Sequence, residues 1–350
     1  MRIAVASVQV PFISGGAEVM TNELISTLIR HGHSTCLVTM PFRFGPIDVV
    51  RKSMDEWESQ DFDQLDCGHI DQVICLKFPS FYLSHPNKTI WLMHQHRSVY
   101  ELLNTPYGES SSANGIAEFR KEILNRDTEA LLSAKNIFTI SKRVSERMKL
   151  YNGINSEPIY QPPANPHLYY CDDQLSYIFF PSRIESLKRQ ELLIRALAYC
   201  KSPVAAIIAG EGGLTENLKA LVEELNIQDR VRFIGRISDN EMRTWYANAL
   251  GVFFGPYDED YGFITLEAML SSKPVITCTD SGGPLDFVVN NQTGYVVEPS
   301  PKEVSDAIDR LYDDRSHAKQ LGDEGRRRYE AMNISWDAVI SKLLARISVK

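Results

Sequence analysis

Apolar residues recur along the chain in short, nearly unbroken runs with amphipathic stretches between them. In the first half such runs lie at 2–7, 35–40, 72–78, 89–94 and 136–141, with a shorter one at 158–161. The second half repeats the pattern at 177–182, 204–210, 231–236, 251–256, 274–280 and 294–297. Continuous apolar runs of this length predict strands buried on both faces, as in a parallel sheet. The stretches between them carry helical stripes. Val19, Met20, Leu24, Ile25, Leu28 and Ile29 form one, and Leu192, Leu193, Ala196 and Leu197 another. Strand–helix alternation in both halves predicts an α/β protein of two doubly wound, Rossmann-like domains. The prolines Pro162, Pro163 and Pro166 in 160–170 disfavour a helix and suit a stiff linker. The expected division is therefore 1–165 and 166–334, followed by a C-terminal helix over 335–350. That helix has apolar residues at 336, 339, 340, 343, 344 and 347, a stripe with a 3.6-residue period. The Ser-, Gly- and Asn-rich stretch 104–116 is the longest expected loop, either a lid or an exposed connection.

Bulk properties narrow the class. The chain has 350 residues, with 43% apolar and 23% charged residues, which suits a globular protein of two domains. Its formal net charge of −8 lacks the basic balance of a nucleic-acid binder, so no nucleic-acid partner is expected. Six cysteines, none in a C-x-x-C pair, are expected to be reduced thiols, several of them buried, which fits a cytoplasmic location. No apolar run reaches the roughly 18–20 residues of a membrane span, and the N-terminus lacks the pattern of a signal peptide.

In doubly wound sheets, ligands bind beyond the carboxyl ends of the strands. After the first strand, Ser14, Gly15 and Gly16 precede a helix expected to begin near Ala17. Paired glycines admit a phosphate or sugar to the backbone N–H groups, or simply make a tight turn; the dinucleotide fingerprint is missing, so no nicotinamide dehydrogenase is expected. The fourth strand ends in His94 and His96, polar groups suited to a cleft. No third ligand stands at a metal-site spacing, and no metal is expected. Arg183 and Lys188 flank a strand-to-helix turn and could clamp a diphosphate, whereas Arg189 and Arg195 are expected as solvated surface residues. Gly235 and Arg236 end a further strand. The segment Gly255–Met269 places Glu259 beside Gly262 and Glu267 at the start of a helix expected near Thr265. Carboxylates accept hydrogen bonds from sugar and ribose hydroxyls, and two of them around a glycine turn can hold two rings of one ligand. Asp258 and Asp260 are expected to be solvated. Gly282 and Gly283 offer a second glycine turn.

These segments in this order resemble the retaining glycosyltransferases of family 4. The likeness rests on the E-x7-E pair Glu259 and Glu267, the strand and glycine turn of 273–288, Arg183 with Lys188, and the first helix after Gly15. It implies the GT-B fold, with two Rossmann-like domains facing a cleft and the C-terminal helix crossing back to the first. It implies that Arg183 and Lys188 hold the donor diphosphate, that Glu267 takes ribose hydroxyls and that Glu259 contacts the transferred sugar. Gly262, Phe263 and Ile264 would line sugar and phosphate, Gly235 and Arg236 would add donor contacts, and Gly15 and Gly16 would lie across the cleft. His94, with His96 as the alternative, matches the family's cleft histidine. Asp286 stands where the family often has Glu, and the sequence HQHR replaces a commoner His-Asp form.

The implied activity is transfer of a hexosyl unit from a UDP- or GDP-linked sugar to a hydroxyl of a glycan, a lipid-linked glycan or a small molecule. Configuration would be retained, with no cofactor beyond the nucleoside-diphosphate sugar co-substrate. A nucleotide-sugar 2-epimerase and a non-catalytic nucleotide-sugar-binding protein are the alternatives. Lys142, Arg143, Arg147 and Lys149 offer a peripheral contact with anionic lipid as the alternative to a solvated helix face.

Overall fold

The computed structural model describes residues 1–12, 15–63 and 68–345. Ser14, Cys67 and position 347 of the terminal stripe lie outside these. The chain forms two compact units, Met1–Gln161 joined by the segment from Ser335, and Pro162–Ile334. The passage between them falls four residues before the expected boundary. Backbone bonding explains this, since Ile159 N donates to Thr139 O at 2.8 Å and Trp91 Nε1 donates to Ile159 O at 3.3 Å, tying the chain to the first unit up to Gln161.

The first unit runs β1 (Arg2–Gln9), α1 (Gly16–Arg30), β2 (Ser34–Pro41), α2 (Ile47–Glu58), β3 (Gln72–Cys75), β4 (Lys88–Leu92), α3 (Ile116–Leu132), β5 (Asn136–Thr139), α4 (Lys142–Asn152) and β6 (Glu157–Pro158). Its sheet has the order β2-β1-β3-β4-β5-β6, with parallel pairing throughout. β3 and β4 are buried at every position, as continuous apolar runs require. β2 is instead an edge strand with alternating exposure, and Leu37 faces solvent. The stripe on α1 is also narrower than its sequence suggests. Met20, Leu24 and Leu28 are buried, while Val19 and Ile29, at its margins, are exposed.

The second unit runs β7 (Tyr177–Pro181), α5 (Gln190–Leu197), β8 (Ala205–Ala209), α6 (Thr215–Glu224), β9 (Val231–Gly235), α7 (Asp239–Asn248), β10 (Gly251–Phe253), α8 (Phe263–Leu270), β11 (Val275–Cys278), α9 (Pro284–Phe287), β12 (Gly294–Val297), α10 (Pro301–Asp313) and α11 (Arg315–Ala331). Its parallel sheet has the order β12-β11-β10-β7-β8-β9. The order reverses between β7 and β10, where a doubly wound sheet opens a crevice. Its core joins Ile178 and Phe180 of β7, Leu193 and Leu197 of α5, and Ile308 and Leu311 of α10.

The last helix, α12 (Trp336–Leu343), belongs to the first unit. It buries Val339, Ile340 and Leu343. Trp336 meets Trp91 edge-on with ring centres 6.2 Å apart.

Two expectations, on thiol burial and on Arg147, are corrected. Cys36 and Cys171 are exposed and Cys200 is half-buried, leaving Cys75 and Cys278 as the buried thiols among the described residues. Arg147 is no solvated cation, because it lies buried at 3.1 Å from Glu101. The loop 104–116 is laced by its own bonds, including Asn104 N to Glu109 O at 2.8 Å and Ser111 N to the Asn104 side chain at 2.8 Å. Among the described residues no helix is long and apolar enough to cross a membrane.

Candidate functional site

In the second unit, three strand-end loops interlock at the β7–β10 reversal. The loop after β7 makes a 3-10 turn at Ser186–Lys188. Tyr257 N of the β10 loop donates to Leu187 O of that turn at 2.8 Å. The β10 loop then pairs with the β11 loop, since Asp258 N donates to Asp280 O at 2.9 Å, Glu259 N to Ser281 O at 2.9 Å, and Gly283 N to Glu259 O at 2.7 Å. Arg189 fastens all three. Its guanidinium forks onto Asp280 at 2.7 and 3.1 Å and reaches Pro256 O at 2.6 Å. The expectation of a solvated Arg189 is thus wrong, because a strand-end carboxylate and carbonyl sit where its fork fits. Asp258 is also buried rather than solvated, 6% exposed beneath the β11 loop. Arg195 does lie at the surface, paired with Glu191 one turn earlier at 2.7 Å.

This frame brings Lys188 and Glu259 together. Nζ of Lys188 donates to Oε2 of Glu259 at 2.6 Å, with side chains only 15% and 20% exposed. The ammonium also stands 5.6 Å from the centre of the Phe254 ring. Arg183, on the same loop, is half-exposed and turned towards Glu185 at 2.8 Å. Gly262 caps α8 with φ of 92°, the left-handed region that glycine enters without steric cost. The helix therefore begins at Phe263, two residues before the expected start. The amides of Phe263 and Ile264 fall in its first turn, whose N–H groups lack intrahelical acceptors and suit an anion.

Glu267 consequently lies past the first turn, and its environment is set by two tyrosines. Tyr246 OH donates to Glu267 Oε2 at 2.6 Å, and the Tyr169 hydroxyl bonds the same carboxyl. Burial raises the Glu267 pKa above the usual carboxylate range, while the two hydroxyls pull it back. Gly235 ends β9 with φ of 65°, its carbonyl accepting from Gly210 N at 2.8 Å, and Arg236 beside it is exposed. Asp286 sits in α9, where its carbonyl accepts from Arg328 at 3.0 Å.

The first unit has its own reversal, between β1 and β3. Gly15 caps α1, which starts at Gly16, and Gly15 N donates to Glu18 Oε2 at 2.9 Å. Lys77, just beyond β3 and 7% exposed, reaches Glu18 Oε1 at 3.4 Å. The loop after β4 separates the two histidines. His96 is buried against Phe78 at 5.3 Å and Phe119 at 6.1 Å, and burial pushes its pKa down to about 4. His94 is half-buried at the strand end, its Nδ1 2.8 Å from Gln95 O. His96 is therefore a core histidine, whereas His94 is only half-buried.

Sequence reading missed Arg189, Lys77, Tyr169 and Tyr246. Only Lys77 carried a local signal, a lysine closing an apolar strand run. Among the described residues no group of three or more His, Cys, Asp or Glu stands together as a metal site.

Residues 171–328 match the family model described as glycosyl transferases group 1. The chain is similar to the alpha-1,3/1,6-mannosyltransferase ALG2 of Dictyostelium discoideum, with 31% identity over 37% of this chain and 32% of the relative. It is also similar to the GDP-mannose-dependent alpha-(1-6)-phosphatidylinositol monomannoside mannosyltransferase of Mycobacterium tuberculosis, 33% identical over 46% of this chain and 44% of the relative. The chain thus spans less than half the length of these curated relatives. Among solved structures, sucrose-phosphate synthase from Thermosynechococcus elongatus shares the fold with a TM-score of 0.77 and 18% identity, covering 98% of this chain and 97% of that one.

Proposed function

We propose that the chain, whose residues 171–328 match the glycosyl transferases group 1 model and whose fold is shared with sucrose-phosphate synthase, transfers a hexosyl unit from a nucleoside-diphosphate sugar to an acceptor hydroxyl. The observation that carries this reading is the Lys188–Glu259 pair at the crevice of the second unit. A donor would divide it. The diphosphate takes the Lys188 ammonium with the Arg183 guanidinium and the α8 amides of Phe263 and Ile264, while Glu259, released, accepts hydroxyls of the transferred sugar. Cations and oriented amides stabilise the charge that grows on the leaving diphosphate as the glycosidic bond breaks. That chemistry is supplied by the chain itself, without a cofactor. Glu267 takes the ribose, and Gly235 and Arg236 add donor contacts. Transfer retains configuration.

UDP and GDP donors both fit. The Mycobacterium relative is named for GDP-mannose and a phosphatidylinositol mannoside, which supports a lipid-linked acceptor and peripheral membrane contact at the cytoplasmic side. Lys142 and Lys149, exposed on α4, are the cations for that contact. The test is a panel of UDP-, GDP- and dTDP-sugars, scored by ligand-dependent thermal shift and by release of nucleoside diphosphate. One nucleotide class should both stabilise the protein and turn over, and Arg183→Ala should reduce turnover. Unchanged turnover in that variant would remove the diphosphate assignment. Epimerised free donor would replace transfer with 2-epimerisation, and stabilisation without any product would leave a binding protein.

A further inference from the structure

Two carboxylates in this protein are each held by a pair of tyrosine hydroxyls, and they differ in one respect. Asp127, on α3, accepts from Tyr82 OH and Tyr100 OH at 2.5 Å each. It is 0% exposed, so its bonding is closed within the fold. Glu267 accepts from Tyr246 OH at 2.6 Å and is bonded by the Tyr169 hydroxyl, but it is only half-buried, at the strand-end loops of the second unit. An ionised carboxylate offers about four acceptor sites. Two hydroxyls from the core side leave roughly two for a ligand, enough for a vicinal diol.

The tyrosines are themselves fixed. Tyr246 is 0% exposed and meets Phe179 edge-on at 5.0 Å, while Tyr169 packs on Tyr246 at 6.1 Å. Glu267 has few other charged influences. Asp239 acts on it as a like charge, and no cation among the described residues is one of the groups that shift it. A flexible glutamate side chain is thus locked by two hydroxyls on rigid rings, as a precise binding group requires.

We propose that Tyr169 and Tyr246 are positioning residues that present the Glu267 carboxylate to the ribose 2′- and 3′-hydroxyls and thereby set a preference for ribonucleotides over 2′-deoxyribonucleotides. This rests on the ribose reading of Glu267. The two hydroxyls also favour the ionised carboxyl, since each lowers a pKa that burial raises. Removing either one raises the pKa further, so a higher pH is needed for ribose binding.

The test titrates the full chain with UDP, GDP and their 2′-deoxy forms across pH. The wild type should bind the better ribonucleotide about tenfold or more tightly than its deoxy form, as expected for a hydrogen bond to a charged group. Tyr246→Phe and Tyr169→Phe should each narrow that ratio to roughly threefold or less, and move the pH midpoint of ribonucleotide binding upward. A purely structural role would lower thermal stability and leave both readouts unmoved. If the Phe variants keep ratio and midpoint while Glu267→Gln abolishes the ratio, the positioning role is wrong and the ribose reading stands. If Glu267→Gln leaves the ratio intact, or neither nucleotide binds, the ribose reading falls and the inference with it. Should Tyr246→Phe fail to fold, Tyr169→Phe decides alone.

Discussion

The Lys188–Glu259 pair makes opposite demands on its two partners. Without a donor, each neutralises the other in a poorly solvated crevice. In the proposed complex they part, and the interaction they lose is charged against donor affinity. Glu259→Gln leaves the lysine without its carboxylate competitor. It should therefore tighten binding of free UDP or GDP by about two- to tenfold, a range discounted for partial exposure. The same substitution should slow transfer on the order of 100-fold through loss of sugar placement. Glu267→Gln should instead weaken free nucleotide binding. Calorimetric titration and turnover of the same variants separate the two, and weakened nucleotide binding in both would remove the division of roles. The acids Glu259 and Glu267 could be singled out in the sequence because their spacing and the adjacent glycine are local features. Arg189 could not. Its guanidinium is placed by Asp280, 91 positions away, and nothing near Arg189 in the chain separates a buried fork from a surface cation. Asp258 was misjudged for the same reason, since its burial comes from the β11 loop.

At the scale of elements, the site depends on how closely strand-end loops approach. Gly282 has φ of 72°, and a Cβ there would lie 2.6 Å from Glu259 O and 2.9 Å from Asp258 Oδ1. Gly282→Ala should thus push the 258–260 backbone away from β11 and destabilise the protein by about 1–3 kcal/mol. It should weaken UDP or GDP binding as well, because Lys188 and the α8 amides are aligned through that loop. Gly213→Ala is the control. Nothing lies within 4 Å of its Cβ and its φ is not in the left-handed region, so stability should stay within roughly 0.5 kcal/mol of wild type. Denaturant unfolding with nucleotide titration measures both, and equal behaviour of the two variants would contradict a platform built by loop contact. The strands themselves were legible, because burial on both faces writes a continuous apolar run into each. At β2 the strand was legible but its burial was not, because that apolar run lies on an edge, and legibility failed at the start of α8. There the left-handed cap at Gly262 begins the helix earlier than the polar-to-apolar change suggests.

At the scale of the molecule, the chain builds most of one unit, completes the other and returns. The stripe on α12 announced a buried face, but an amphipathic pattern does not name its partner. The structure supplies it. Gln72 Nε2 of β3 donates to Leu343 O at 2.8 Å, His31 Nε2 at the end of α1 lies 3.1 Å from Asp337, and Lys342 pairs with Glu157 of β6. The C-terminal segment is therefore part of the N-terminal core, and sequence distance says little about stability here. Leu343 is 0% exposed. Leu343→Ala should cost about 2–5 kcal/mol through lost burial and the cavity left behind. The loss should appear as faster hydrogen exchange in β3 and β4. UDP or GDP affinity should stay within about twofold, since Leu343 belongs to the first unit while Arg183, Lys188 and Glu267 all lie in Pro162–Ile334, and changes without shared partners act nearly additively. A fall in nucleotide affinity that tracks the loss of stability would make the two units one cooperative system. Donor binding would then draw on the terminal helix as well as on the crevice at the β7–β10 reversal.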